Sequence, residues 1–216
     1  MTARRFRAAL PALAFAMLGT AAMAAPPPPA CPSGVPEGVG CGEASLRSAT
    51  AGTYALDASH ASVIAKVSHL GYSNSVFRFG KVSGTLTWDP AAPAKSKLSV
   101  SVDPASIETP VEGFAKELAG DKFLNAAAFP QATFVSTAFR PKGATAGQVD
   151  GTLTLMGKSR PVTFDVKLVG AGTGFFGKPR LGVEARTAIQ PQDYGLAPVF
   201  NRPIELVVDV EFERQS

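Results

Sequence analysis

The sequence is poor in the residues that carry catalysis and metal binding. It contains only two histidines and two cysteines among 216 residues. It has no G-x-S-x-G turn, no phosphate-binding loop, no G-x-G-x-x-G after a predicted strand and no H-E-x-x-H. A histidine-rich metal centre is excluded, and no complete catalytic set can be assembled. We therefore expect no enzyme activity, no bound metal and no cofactor.

A strong excess of charge is also absent. The formal net charge is +4, and without the three arginines of the N-terminal segment it falls to +1. This near-neutral balance gives no reason to expect nucleic acid or an anionic membrane surface as a partner. The residues do not specify an oligomeric state, so a homodimer stays open.

Residues 1–24 have the features of a secretory signal peptide. A basic start precedes an apolar run from Ala8 to Leu18, and the A-M-A tripeptide that ends at Ala24 matches a small-residue cleavage site. An uncleaved membrane anchor is the alternative, but the apolar run is shorter than the roughly 20 residues that span a bilayer. We predict export, cleavage after Ala24 and no stable membrane span.

Residues 25–51 are predicted to be a linker rich in proline, glycine and alanine. The segment has little to bury, so we expect an extended or disordered spacer. It contains both cysteines, Cys31 and Cys41. An even number of cysteines in an exported chain favours a disulfide that stabilises this segment locally. A metal site lacks further ligands nearby, and redox activity would need C-x-x-C spacing.

Residues 52–216 are predicted to be one all-β domain. Val63, Ala65 and Val67 alternate with polar residues, as in a strand with one buried face. The next run, 76–89, contains Gly80 and Gly84, where a strand would bend. Similar strand patterns occur at residues 97–103, 131–140, 148–156, 161–169, 181–189 and 204–212.

About eight strands linked mainly by short turns favour an antiparallel meander, and eight strands can close into a barrel. Residues 111–125 are the one helical stretch, with Phe114 and Leu118 at helical spacing and Gly120 as the end of the helix. The sequence therefore predicts an eight-stranded antiparallel barrel with a short helical insertion.

Three questions, one about the interior and two about the histidines, stay open on pattern alone. The 12 phenylalanines that follow the predicted signal peptide can fill the barrel, whereas small inward residues would leave a tunnel. His60 could be a general base near Asp57 or Asp193, or a hydrogen-bonded residue at the rim. His69 shares the parity of Val63, so it could point inward and either bind a polar head group or satisfy a buried backbone group.

Several stretches resemble the YceI-like family of polyisoprenoid-binding proteins, which have a lipocalin-like barrel. They are TYALDASHASVIAKVSHLG, FRFGKVSGTLTWDP, SVSVDPASIET, ELAGDKFLNAAAFPQATFVST, GTLTLMGKSRPVTFDV and DYGL. The resemblance spans residues 53–212 and leaves out the linker. It implies a periplasmic carrier that holds a long-chain isoprenoid, such as a polyprenyl phosphate or a quinone, or a similar amphiphilic lipid in an apolar tunnel.

The resemblance and the aromatic pattern together give a predicted ligand-binding set. Its members are His60, His69, Phe79, Phe123, Phe134, Phe164, Asp193 and Tyr194. Departures from the family pattern at Glu117, Met156 and Pro191 remove polar or basic groups from the rim, which favours a neutral head group. The rival hypothesis is a non-enzymatic interaction or stress-response module with a filled barrel core.

Overall fold

The computed structural model describes residues 31–36 and 40–215. The predicted signal peptide lies outside these residues. Within them, the strands are β1 (Gly52–His69), β2 (Ser73–Phe79), β3 (Val82–Trp88), β4 (Lys97–Val102), β5 (Ile107–Glu108), β6 (Ala132–Pro141), β7 (Ala146–Leu155), β8 (Lys158–Thr173), β9 (Pro179–Ile189) and β10 (Ile204–Arg214), and the helices are α1 (Phe114–Ala119) and α2 (Pro191–Tyr194). None of the helices in the described part is long and apolar enough to cross a bilayer.

Eight of the strands close into an antiparallel barrel. They follow one another in the order β1, β3, β4, β6, β7, β8, β9 and β10, and β10 pairs again with β1. The closing pair extends from Tyr54 opposite Arg214 to Lys66 opposite Glu205. The predicted eight-stranded antiparallel barrel is confirmed.

The long strand β1 pairs with two partners on its second side. Its first residues pair with β3, and its last seven pair with β2, which in turn pairs with the short β5. The prediction of one bent strand over residues 76–89 is therefore corrected to two strands that separate at Gly80 and Lys81. The break lies level with residues 56–62 of β1, which pair with neither strand, and β1 bulges within this stretch.

The bulge in β1 comprises residues 57–60. Leu56 lies opposite Phe212 on β10, whereas Ala61 lies opposite Val210, so the intervening residues of β1 have no regular partners. Such a bulge reverses which side chains face inward along the strand. Tyr54 is buried before the bulge, and Ala61 and Ala65 are buried after it.

The predicted helical insertion is present and is short. Helix α1 covers six residues, and the Gly120 amide donates a hydrogen bond to the Glu117 carbonyl at its end. Its buried residue Leu118 packs with Phe77 of β2 and Ile107 of β5. The helix therefore covers the side where β2 diverges from the barrel ring.

Residues 40–51, which we name the strap, pack against the barrel instead of forming a free spacer. Glu43 and Ala171 of β8 exchange two backbone hydrogen bonds of 2.9 Å. The close approach is allowed because Gly42 faces Gly170, and a Cβ on either glycine would meet the other's backbone within about 3.2 Å. The expectation of an extended spacer is wrong for this segment. Cys31 is joined to Cys41, the second residue of the strap, with an S–S distance of 2.05 Å.

Candidate functional site

The barrel encloses a cavity of about 290 Å³. Every strand of the ring contributes to its wall, because alternate residues of each strand face inward. Representative wall residues, one from each strand of the ring, are Ala65, Leu86, Val100, Phe134, Leu153, Phe164, Val183 and Val208. A buried water needs only roughly 10–15 Å³. The interior is therefore a cavity and not a filled core.

The cavity is elongated along the barrel. Ile204 and Phe212 both line it, and the rise of a β-strand puts them about 26 Å apart along β10. Strands in such barrels tilt by roughly 40°, so the corresponding length along the axis is about 20 Å. Leu46 and Ala49 of the strap line one end, and Leu124 and Leu196 line the wall elsewhere, beyond α1 and α2.

The wall is almost entirely apolar. Its residues with charged or amide side chains, Arg140 and Gln148, hold acidic partners on neighbouring strands: Arg140 pairs with Asp150, and Gln148 donates to Asp165 at 2.8 Å. These two side chains therefore make their polar contacts outside the cavity. The space is suited to a hydrocarbon chain, whose burial contributes about 25 cal/mol per Å² of apolar surface.

Three of the predicted ligand-binding residues line the cavity: Phe79, Phe134 and Phe164. The rings of Phe134 and Phe164 contact each other edge to face, with 5.0 Å between centroids. Phe123 does not line the wall. It packs edge to face on Phe200 at 5.8 Å, next to the wall residue Leu124.

Tyr194 brings a buried hydroxyl close to this site. Its side chain is 1% exposed and packs with the wall residues Leu196 and Ile204, and its hydroxyl has no hydrogen-bond partner among residues 31–36 and 40–215. Burial raises the pKa of this phenol, so the hydroxyl stays protonated and can donate a hydrogen bond. The neighbouring Asp193 is exposed.

The two histidines lie outside the cavity, one on the bulge of β1 and the other at the end of that strand. His60 is on the bulge of β1, with 58% of its side chain exposed, and its Nδ1 lies 2.9 Å from Asp57 Oδ2. His69 is the exposed last residue of β1, at a hairpin end. Neither histidine is therefore part of the cavity wall.

An ion-pair cluster surrounds the bulge. Asp57 Oδ2 accepts a bond of 2.8 Å from Arg180, which also pairs with Glu211 at 2.7 Å and with Glu213 at 2.8 Å. The hydrogen bond from His60 lowers the pKa of Asp57 to about 2, and Arg180 acts in the same direction. The cluster joins β1, β9 and β10 on the outside of the barrel.

The same cluster contains the described residues that come nearest to a metal-ligand set. Potential ligand atoms of Asp57, His60 and Glu211 lie within 4.8 Å of one another. The guanidinium of Arg180 already supplies a positive charge to both carboxylates. A metal ion would have to displace it, so the arrangement is that of a structural ion-pair network.

Sequence reasoning missed several wall residues. Leu46 and Ala49 lie in a segment that has no periodic pattern, and Leu196 lies in a loop. Trp88 also lines the cavity, and its indole Nε1 is buried with no hydrogen-bond partner from the residues that the structure describes. A tryptophan at a strand end gives no signal that separates a cavity wall from a packed core.

Comparisons with known proteins place the barrel in a family. The model of the YceI-like domain matches residues 54–214. Protein YceI of Salmonella arizonae is 37% identical over 175 residues, which cover 78% of this chain and 91% of that protein.

Solved structures show the same fold. The Campylobacter jejuni YCEI protein matches with a TM-score of 0.62 and 26% identity, over 70% of this chain and 91% of that one. A polyisoprenoid binding domain from Saccharophagus degradans matches with a TM-score of 0.54 and 17% identity, over 77% of this chain and 100% of that one. From its barrel and from these matches, the chain belongs to the YceI family.

Proposed function

We propose that this protein is a periplasmic carrier that binds a long-chain isoprenoid or a similar amphiphilic lipid inside the barrel and performs no covalent chemistry on it. The observation that carries the proposal is the elongated apolar cavity of about 290 Å³. A cavity of this size and composition falls at the lower end of ligand-binding sites. The name of the Saccharophagus degradans domain, a structural relative, supports the isoprenoid class.

The proposal places the lipid head group near Tyr194. The tyrosine hydroxyl is a buried neutral donor without a partner in the described part of the chain, which suits the carbonyl of a quinone or a fatty amide. Lys158 Nζ lies against Gly195, the next residue along the chain, and it could pair with a phosphate. A quinone and a polyprenyl phosphate are thus the two head groups to compare.

The hydrocarbon chain would occupy the cavity between this end and the strap. Hydrophobic burial would supply most of the affinity, because the charged wall residue Arg140 is already paired on the outside. The role of Phe79, Phe134 and Phe164 in this proposal is to contact the chain. No described group near the cavity forms a nucleophile with its base, which supports binding without catalysis.

Intrinsic fluorescence offers a direct test. Trp88 is the only tryptophan in the sequence and lines the cavity. Delipidated protein should show a saturable change in Trp88 emission when titrated with undecaprenyl phosphate, a long-chain ubiquinone or a fatty amide. Free N-acetyltryptophanamide, titrated in parallel, controls for direct quenching. Emission that follows the free amino-acid control for all three lipids would contradict the proposal.

A further inference from the structure

We propose that the strap is the end wall of the lipid tunnel and that Leu46 limits the length of the hydrocarbon chain that fits. This inference rests on the proposed function, since it names the part of the same site that selects among ligands. The strap precedes the domain that the family model matches, which begins at residue 54. The selecting element therefore lies in front of the residues that the family model matches.

Two strap side chains form part of the cavity surface. Leu46 and Ala49 both line the cavity, and Ala49 is 3% exposed. Ala49 belongs to the same buried cluster as Leu181 and Phe212, with Leu46 packed against that cluster. These contacts put the strap at the end of the barrel where β1 begins and β10 ends.

The strap is held in place by contacts along its length. The paired backbone hydrogen bonds between Glu43 and Ala171 fix its first part. The Tyr54 hydroxyl, on a side chain with no exposed surface, donates to the Thr50 carbonyl at 2.7 Å and fixes its last part. A short 3₁₀ turn over Leu46–Ser48 lies between these two anchors. The wall is therefore built into the fold.

A fixed wall at one end of the cavity and a bound head group at the other end would set the length of the hydrocarbon chain that fits between them. A chain longer than the cavity would have to displace Leu46 or leave methylene groups in water, each at a cost of affinity. A smaller residue at position 46 should admit longer chains, and a larger residue should favour shorter ones. Arg47 is exposed on the same turn and provides a matched position that does not line the cavity.

The experiment compares Leu46→Ala and Leu46→Phe with the wild type and with Arg47→Ala. The probes are farnesol, geranylgeraniol and solanesol, three isoprenoid alcohols of increasing length, and the readout is Trp88 fluorescence. We expect Leu46→Ala to shift the preference by about tenfold towards the longer alcohols, and Leu46→Phe to shift it by a similar factor towards farnesol. Arg47→Ala should keep the wild-type order.

Hydrogen exchange shows whether each variant keeps the strap docked. The Ala171 amide donates to the Glu43 carbonyl at 2.9 Å, so its protection reports this contact directly. A variant that loses the protection has lost its end wall and should favour the longest alcohol. If the wild type binds the alcohols and both Leu46 variants keep its length preference, Leu46 does not limit the length of the chain, and the proposal is wrong. A wild type that binds no lipid of any class would instead contradict the proposed function.

Discussion

Phe134 of β6 and Phe164 of β8 contact each other edge to face inside the barrel, with their ring centroids 5.0 Å apart. The strand between them, β7, has Gly151 at this level, and a Cβ on that residue would collide with the Phe134 ring. The missing side chain on β7 thus leaves the space in which the Phe134 ring lies. This arrangement shapes the middle of the cavity wall.

A charge at position 134 should abolish lipid binding. Phe134→Glu would place a carboxylate against the apolar cavity, so we expect bound lipid to fall at least about tenfold and stability to fall by about 3–5 kcal/mol. The control is Val135→Glu, at a neighbouring position on β6 that is 50% exposed. It should change stability by less than about 1 kcal/mol. Lipid extraction and urea unfolding measure both effects, and full lipid loading of Phe134→Glu would refute the role of Phe134.

Gly151→Ala should destabilise the barrel, because the added methyl group would collide with both the Phe134 ring and the backbone carbonyl oxygen of Val135. We expect a loss of about 1–3 kcal/mol in the free energy of unfolding. Gly182→Ala on β9 is the matched control, since a Cβ there would meet its nearest atoms at 3.7 Å or more. That variant should be neutral or slightly stabilising. Equal losses in the two variants would show that the collisions with Phe134 and Val135 are not the cause.

The sequence pattern predicted the barrel because inward and outward residues alternate along most strands. Val63 and Ala65 were correctly assigned to one face, and both line the cavity. The bulge at residues 57–60 was not predicted, because it contains no glycine or proline. It also depends on the pairing of β1 with β10. A strand's own residues do not reveal such a register shift.

The aromatic part of the candidate site was more predictable than its polar part. Phe79, Phe134 and Phe164 follow strand parity and line the cavity. His60 lies outside because the bulge carries it to the surface, where it pairs with Asp57. The strap could not be predicted, because its docking uses backbone contacts between glycines and not a hydrophobic period.

Asp57 should make stability depend on acid pH. Its pKa is about 2 in the folded protein against an ordinary value of 3.8, so its stabilising contribution is present above about pH 4 and is lost as the pH falls through about 2. Allowing for solvent screening, we expect Asp57→Asn to cost about 1–2 kcal/mol near neutral pH. Most of this cost should be lost at pH 2, and all of it at a pH well below 2.

Urea unfolding at the two pH values tests this dependence. Asp121→Asn, at an exposed position, serves as the control. A cost of Asp57→Asn that is the same at both pH values would show that the effect does not come from the ionised carboxylate.

Export can be checked on the mature protein. If the signal peptide is removed after Ala24, N-terminal sequencing of protein from the periplasmic fraction should begin at Ala25 and continue into the prolines 26–29. The precursor should accumulate when the Ala24 position is changed to a bulky residue. Full-length protein in the cytoplasmic fraction, with the initiating segment intact, would rule out this route.

Native mass spectrometry of protein purified from its own host, followed by organic extraction of what it carries, tests the carrier function most directly. We expect a stoichiometric long-chain isoprenoid or related lipid, released on unfolding and identified by its mass. Protein that arrives empty, and remains empty when offered polyprenyl phosphates, quinones and fatty amides, would contradict the carrier function.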